Sequence, residues 1–160
     1  MAKHLDRHAI PAARLLAFGQ KLRGRFAADS FVLTAAVPDR TPLCVALADP
    51  ARPIPARRAL LGECGQFLGR LHAAGLRLVP GGTGRPVLAL AAGVLRVESP
   101  QGVKLRRAMT DGRRGKDLVR LFACEVPGLS RGDRAAVVRG YLGDRWADRA
   151  TRRRYLRSTR

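Results

Sequence analysis

Arg70-Leu71-His72-Ala73-Ala74-Gly75-Leu76 runs directly into Arg77-Leu78-Val79-Pro80-Gly81-Gly82-Thr83-Gly84-Arg85, and the two halves read differently. The first half ends an amphipathic helix predicted over residues 56–74. Leu60, Cys64, Phe67, Leu68 and Leu71 recur at steps of four, three, one and three, which lays a single apolar stripe along a helix. Pro55 suits its first turn, and Gly75 suits a left-handed stop. Gly65 and Gly69 each lower intrinsic helicity by about 1 kcal/mol relative to alanine, so packing must hold this helix. The second half reads as a loop, and it contains no His, Asp or Asn.

Working outward, residues 3–9 read as the end of a short helix stopped by Ile10-Pro11. The apolar runs 15–19 and 30–37 read as two strands joined by the basic segment 20–29. Residues 38–42 form a turn, and 49–55, with three prolines, a stiff connector. Residues 87–90 and 94–97 flank Ala91-Ala92-Gly93 as a β-hairpin. A basic, flexible segment is expected over 109–116, followed by a helix that opens at Asp117 and turns Leu118, Leu121 and Phe122 to one side. Ser130 and Asp133 have the spacing of a capping box, with Asp in place of the usual Glu or Gln. The helix behind them presents Ala135, Val138, Tyr141 and Leu142.

The chain has 160 residues, the size of one domain that buries roughly 70% of its unfolded surface. Its 46% hydrophobic content argues against wholesale disorder. No apolar run approaches the ~20 residues of a membrane-spanning helix, and the start lacks the apolar stretch of a signal peptide, so a soluble cytoplasmic protein is expected. The net charge of +19 attracts polyanions: nucleic acid, anionic lipid or phosphorylated sugars. Only four of the 31 basic residues are lysine, which a GC-rich genome also produces. Cys44, Cys64 and Cys124 form no C-x-x-C pair, so a zinc ribbon or disulfide framework is unsupported. Residues 80–86 lack the Gly-Lys-Ser/Thr ending of a phosphate-binding loop, and His4 and His8, one helical turn apart, have no third metal ligand nearby.

Five segments carry a resemblance. Ile10-Pro11-Ala12-Ala13-Arg14-Leu15 resembles a "gIPtPr" motif before a strand, and Ser30-Phe31-Val32-Leu33-Thr34 an "SFLVTE" strand that leads into a hinge. Leu68 to Gly75 resembles "arLHaaG", Lys116 to Leu121 resembles "rDLarL", and Asp133 to Leu142 resembles "adRarflraYl". In this order they resemble the Kdo/WaaP lipopolysaccharide kinase family, whose fold is similar to protein kinases, over about residues 5–142. The resemblance implies an α+β fold, protein-kinase-like, mostly the helical C-lobe with a reduced N-lobe β-sheet. It implies one domain over 1–145, with a remnant N-lobe and hinge at 1–49 and a C-lobe at 56–145, and a basic C-terminal tail at 146–160.

Phosphoryl transfer needs an Asp near the acceptor hydroxyl, an Asn and a second Asp on Mg²⁺, and a Lys on the phosphates. Counting from the family's motif puts Leu78 at its His, Pro80 at its catalytic Asp and Arg85 at its metal-binding Asn. Glu98 falls at the second metal-binding Asp and is the candidate metal ligand. No upstream glycine-rich strand pair is recognisable, and Lys3 and Lys21 are in the wrong context to replace the phosphate-binding Lys. For His72 and Asp117 the resemblance implies structural roles: His72 packing below the loop, and Asp117 bracing the loop through backbone N–H groups, where plain capping of its own helix is the alternative.

The expectation is therefore a degenerate, N-terminally truncated relative: a pseudokinase acting as scaffold or regulator, with no cofactor. The alternative is an ATP- and Mg²⁺-dependent kinase of a lipopolysaccharide inner-core sugar, and the second alternative a basic nucleic-acid-binding module. Expected partners are an anionic membrane surface or lipopolysaccharide precursor, reached peripherally at the inner membrane, and a protein partner or homodimer. Arg152, Arg153, Arg154 and Arg157 are the candidate anion-binding residues.

Overall fold

The computed structural model describes residues 2–24, 26–79, 87–98, 102–106, 109–125 and 128–158. The centre is a long helix, α3, which follows α1 (Ala2–Arg7) and α2 (Leu43–Ala48) and spans Ile54–Ala73. Its stripe of Leu60, Leu61, Cys64, Phe67, Leu68 and Leu71 is buried, as the periodicity predicts. The helix begins two residues before the expected start, with Pro55 in the first turn, and Gly75 at φ +72° ends it. His4 Nε2 donates to the carbonyl of Ala74 at 2.8 Å, which ties α1 to that end.

The expected packing against the glycines has a specific form. α5 (Arg131–Leu142) lies along α3, Val137, Val138, Tyr141 and Leu142 completing the core. A Cβ on Gly65 would stand 2.6 Å from the Tyr141 backbone nitrogen, and one on Gly140 would stand 2.9 Å from the Gly62 Cα. The helices meet backbone to backbone, which only glycine permits. Both bonds of the capping box hold the start of α5: Ser130 N–H donates to Asp133 Oδ2, and Asp133 N–H donates to Ser130 Oγ, each at 3.2 Å.

Among the described residues, three small antiparallel sheets surround this pair. β1 (Leu15–Arg23) and β2 (Phe26–Thr34) form a ribbon of their own. β3 (Thr41–Pro42), β5 (Leu88–Ala91) and β6 (Val94–Val97) form the second, with Pro42 on its edge strand. Ala92 and Gly93, at φ 48° and 74°, make the two-residue turn between β5 and β6, and positive φ at both positions is the type I′ signature. The N-terminal segment is stitched to β6: Val97 N–H donates to Pro11 O and Ala13 N–H to Val97 O. β4 (Leu76–Leu78) and β7 (Val103–Leu105) form the third sheet.

Three expectations are corrected. The segment 20–29 is mostly strand, because β1 and β2 are longer than their apolar runs and reverse at Gly24, φ +63°. Residues 76–78 are a strand, not the start of a loop. Residues 109–116 are not flexible connector: α4 spans Asp111–Arg120, with Thr110 at the N-cap position and Asp111 in the first turn, and continues into a π-helical turn over Leu121–Glu125. In the basic tail a 3-10 turn (Gly143–Ala147) leads to α6 (Arg149–Ser158), whose Tyr155 is 2% exposed. Asp148 starts α6 by accepting from Ala150 and Thr151 N–H groups. No disulfide joins Cys44 and Cys64, and among the described residues no helix is long and apolar enough to cross a membrane.

Candidate functional site

The loop singled out in the sequence is held at its entrance from two sides. On one side β4 pairs with β7, Leu78 opposite Val103, and Val79 N–H donates to Gly102 O at 2.9 Å. On the other lies Asp117, 1% exposed. Its Oδ2 accepts the Leu78 backbone N–H at 3.1 Å and His72 Nε2 at 3.2 Å, and its Oδ1 accepts from Arg120 at 2.8 Å. Three donors, one of them the Arg120 cation, offset the cost of burying this carboxylate. Asp117 lies in the second half of α4, so it does not cap that helix.

Nε2 of His72 faces Asp117, and its Nδ1 lies 2.9 Å from the Tyr141 hydroxyl, within hydrogen-bond distance. Tyr141 and Tyr155 lie ring to ring at 5.5 Å. The Tyr155 hydroxyl donates to Asp111 Oδ1, and Arg154 donates to Asp111 Oδ2 at 2.8 Å. A polar and aromatic chain thus runs from the loop entrance to the C-terminal helix. Burial, then the neighbouring Tyr155, pushes the Tyr141 phenol well above its ordinary value. Burial, then the Asp111 carboxylate, raises Tyr155. The Thr151 hydroxyl, then the Ala150 and Thr151 N–H groups, lowers Asp148.

The sequence candidates are placed as follows. His72, Leu78 and Asp117 come together. His72 and the Leu78 side chain are buried, 3% and 4% exposed, so neither reaches a ligand. Pro80 and Arg85 lie outside the described residues. Glu98 follows β6, its N–H donating to Val87 O, and its carboxylate forms an ion pair with Arg40 just before β3. Among the described residues no group of three or more His, Cys, Asp or Glu is arranged to hold a metal. Arg152 stacks 5.4 Å from the Trp146 ring and donates to its carbonyl, and Arg154 is taken by Asp111. Arg153 and Arg157 are exposed.

Sequence reasoning missed Arg40, Asp111 and Arg120, and did not connect Tyr141 with Tyr155. Arg120 had a signal, since it stands three residues from Asp117 on the same helix face. The Arg40–Glu98 pair had none, because 58 positions separate the two.

No family model matches the chain, and no curated protein does. A solved structure described as WaaP in complex with acyl carrier protein is similar, with a TM-score of 0.67 and 23% identity over 97% of this chain and 70% of that one. At this identity the likeness is one of fold: the chain has an α+β, kinase-like architecture of the kind seen in WaaP.

Proposed function

We propose that this chain is a catalytically silent, kinase-like domain, a degenerate relative of the lipopolysaccharide kinases that serves as a scaffold or regulator. One observation behind this reading is the Arg40 guanidinium on the Glu98 carboxylate. Magnesium takes an octahedron of oxygens, commonly one or two carboxylates plus substrate phosphates. Glu98 is the first such ligand in this reading, and the protein's own cation already faces it. The pair is partly exposed and contributes roughly 0–1 kcal/mol, so alone it does not bar a metal. The observation that best supports the reading is the loop: residues 77–85 contain no Asp, Asn or His to supply a second ligand, and Pro80 has no proton-accepting side chain.

In this reading residues 1–49 are a reduced N-lobe and hinge, 56–145 the C-lobe and 146–160 a basic extension. Asp117 and His72 hold the loop entrance and take no part in chemistry. The acyl carrier protein beside the WaaP neighbour supports a protein partner for this chain as well. In the same reading the exposed Arg153 and Arg157 face an anionic membrane surface or lipopolysaccharide precursor, with the protein cytoplasmic and peripheral to the inner membrane.

A thermal-shift titration with Mg²⁺-ATP tests the proposal. A ligand at a hundred times its Kd adds about 2.7 kcal/mol, roughly 5–11 °C for a domain of this size. The silent reading predicts no shift for the parent and none for Arg40→Ala. A shift of that order that disappears in Glu98→Ala shows a nucleotide–metal site built on Glu98 and counts against the silent reading.

A further inference from the structure

The β1–β2 ribbon leaves apolar side chains in water on both of its faces. Leu16, Phe18, Phe31, Val32 and Leu33 are 51%, 71%, 61%, 40% and 53% exposed. Phe18 lies opposite Val32, whereas Leu33 and Phe31 lie opposite Ala17 and Gly19, so the two sets point to opposite faces. At roughly 200 Å² per aromatic side chain, Phe18 and Phe31 alone leave about 250 Å² of apolar surface open. An isolated two-stranded ribbon is marginal in water, and unpaired edges recruit further strands.

The two edges differ in charge. β1 carries Lys21 and Arg23, with Arg14 at its base, and charged side chains of this kind guard a strand edge. β2 carries Asp29 and no basic residue, and residues 30–37 are uncharged. We propose that the β2 edge is a self-association surface: two copies pair β2 with β2, antiparallel about a two-fold axis at Val32, and join their ribbons into one four-stranded sheet. This register sets Phe31 opposite the partner subunit's Leu33, and Leu33 opposite the partner subunit's Phe31, an aromatic–aliphatic pair on each side of the axis.

The charge pattern selects this occupant. An anionic lipid or a nucleic acid finds no cation along β2, whereas a strand of the same neutral sequence meets no repulsion there. Lys21 and Arg23 of each ribbon lie on the outer strands of the joined sheet, away from the axis. The inference is independent of whether the cleft binds nucleotide.

Sedimentation velocity on the full chain at tens of micromolar tests it. The parent is expected to be dimeric, and the dimer to tighten between about 0.1 and about 1 M salt, because salt screens the repulsion between two strongly basic copies. Val32→Lys places like charges face to face on the axis and weakens association about tenfold or more, while Leu16→Lys on β1 leaves it intact. Circular dichroism verifies that both variants fold. Val32→Cys gives a second readout that keeps a small side chain: directly opposed residues stand about 4.5–5.5 Å apart, within disulfide range, so mild oxidation yields a covalent dimer that the parent does not form. A monomeric parent at both salts, a folded Val32→Lys that still dimerises, association that weakens as salt rises, or no Val32→Cys cross-link overturns the proposal.

Discussion

Asp117 accepts the backbone N–H of Leu78 at 3.1 Å from 39 positions away, and this one bond joins α4 to the strand that opens the loop. The same carboxylate takes His72 and Arg120. Asp117→Ala leaves three donors without their acceptor and is expected to destabilise the protein by about 3–5 kcal/mol. Urea unfolding measures it. A loss under about 0.5 kcal/mol is what an ordinary surface substitution gives, and it would remove the brace from the account.

The α3–α5 contact predicts opposite outcomes at two glycines on one helix. Gly65→Ala forces a Cβ to within 2.6 Å of the Tyr141 nitrogen and should cost about 1–3 kcal/mol or more despite alanine's better helix propensity. At Gly69 the nearest atom is 3.5 Å away, an ordinary contact, so Gly69→Ala should stabilise by up to about 1 kcal/mol. Thermal melts of the two variants should move in opposite directions. Equal shifts would mean that the helices are not in backbone contact.

How much was legible follows from the range of each signal. α3, the β5–β6 hairpin and the Ser130 cap are written in spacings of a few residues, and the structure has them where the pattern puts them. β4 and β7 are three-residue strands drawn from distant parts of the chain, too short to show an alternation. α4 was hidden because Gly112, Gly115 and three basic residues fill its first turns, leaving Thr110 and Asp111 as its only start signal. α6 was hidden because, among its described residues, only Tyr155 is buried, with Leu156 partly packed beside it. The brace on Leu78 and the Arg40–Glu98 pair are tertiary, and no local pattern encodes either.

The buried phenols set an alkaline limit. Tyr141 and Tyr155 titrate higher in the folded chain than the usual value of 10.0, so the folded state holds their protons more tightly than the unfolded state does. The stability they contribute is complete below about pH 10 and is lost as the pH climbs above it. Urea midpoints should fall from that point, and Tyr141→Phe should flatten the decline while lowering the plateau through loss of the His72 bond. An unchanged slope in Tyr141→Phe contradicts the assignment.

The capping box offers a local check. Ser130→Ala leaves the Asp133 N–H without its side-chain acceptor and should cost about 1 kcal/mol, measured by chemical denaturation. No loss would mean that water replaces the cap without penalty.

The central claim is chemical silence, and a phosphoryl-transfer assay meets it most directly. Purified protein is incubated with Mg²⁺ and ATP labelled at the γ-phosphate, with lipopolysaccharide inner core as acceptor, beside a Glu98→Ala control. The account predicts no label on the sugar above the control. Label transferred by the parent and lost in Glu98→Ala would show that Glu98 holds a working metal and that this loop catalyses without an Asp, contradicting the account at its centre.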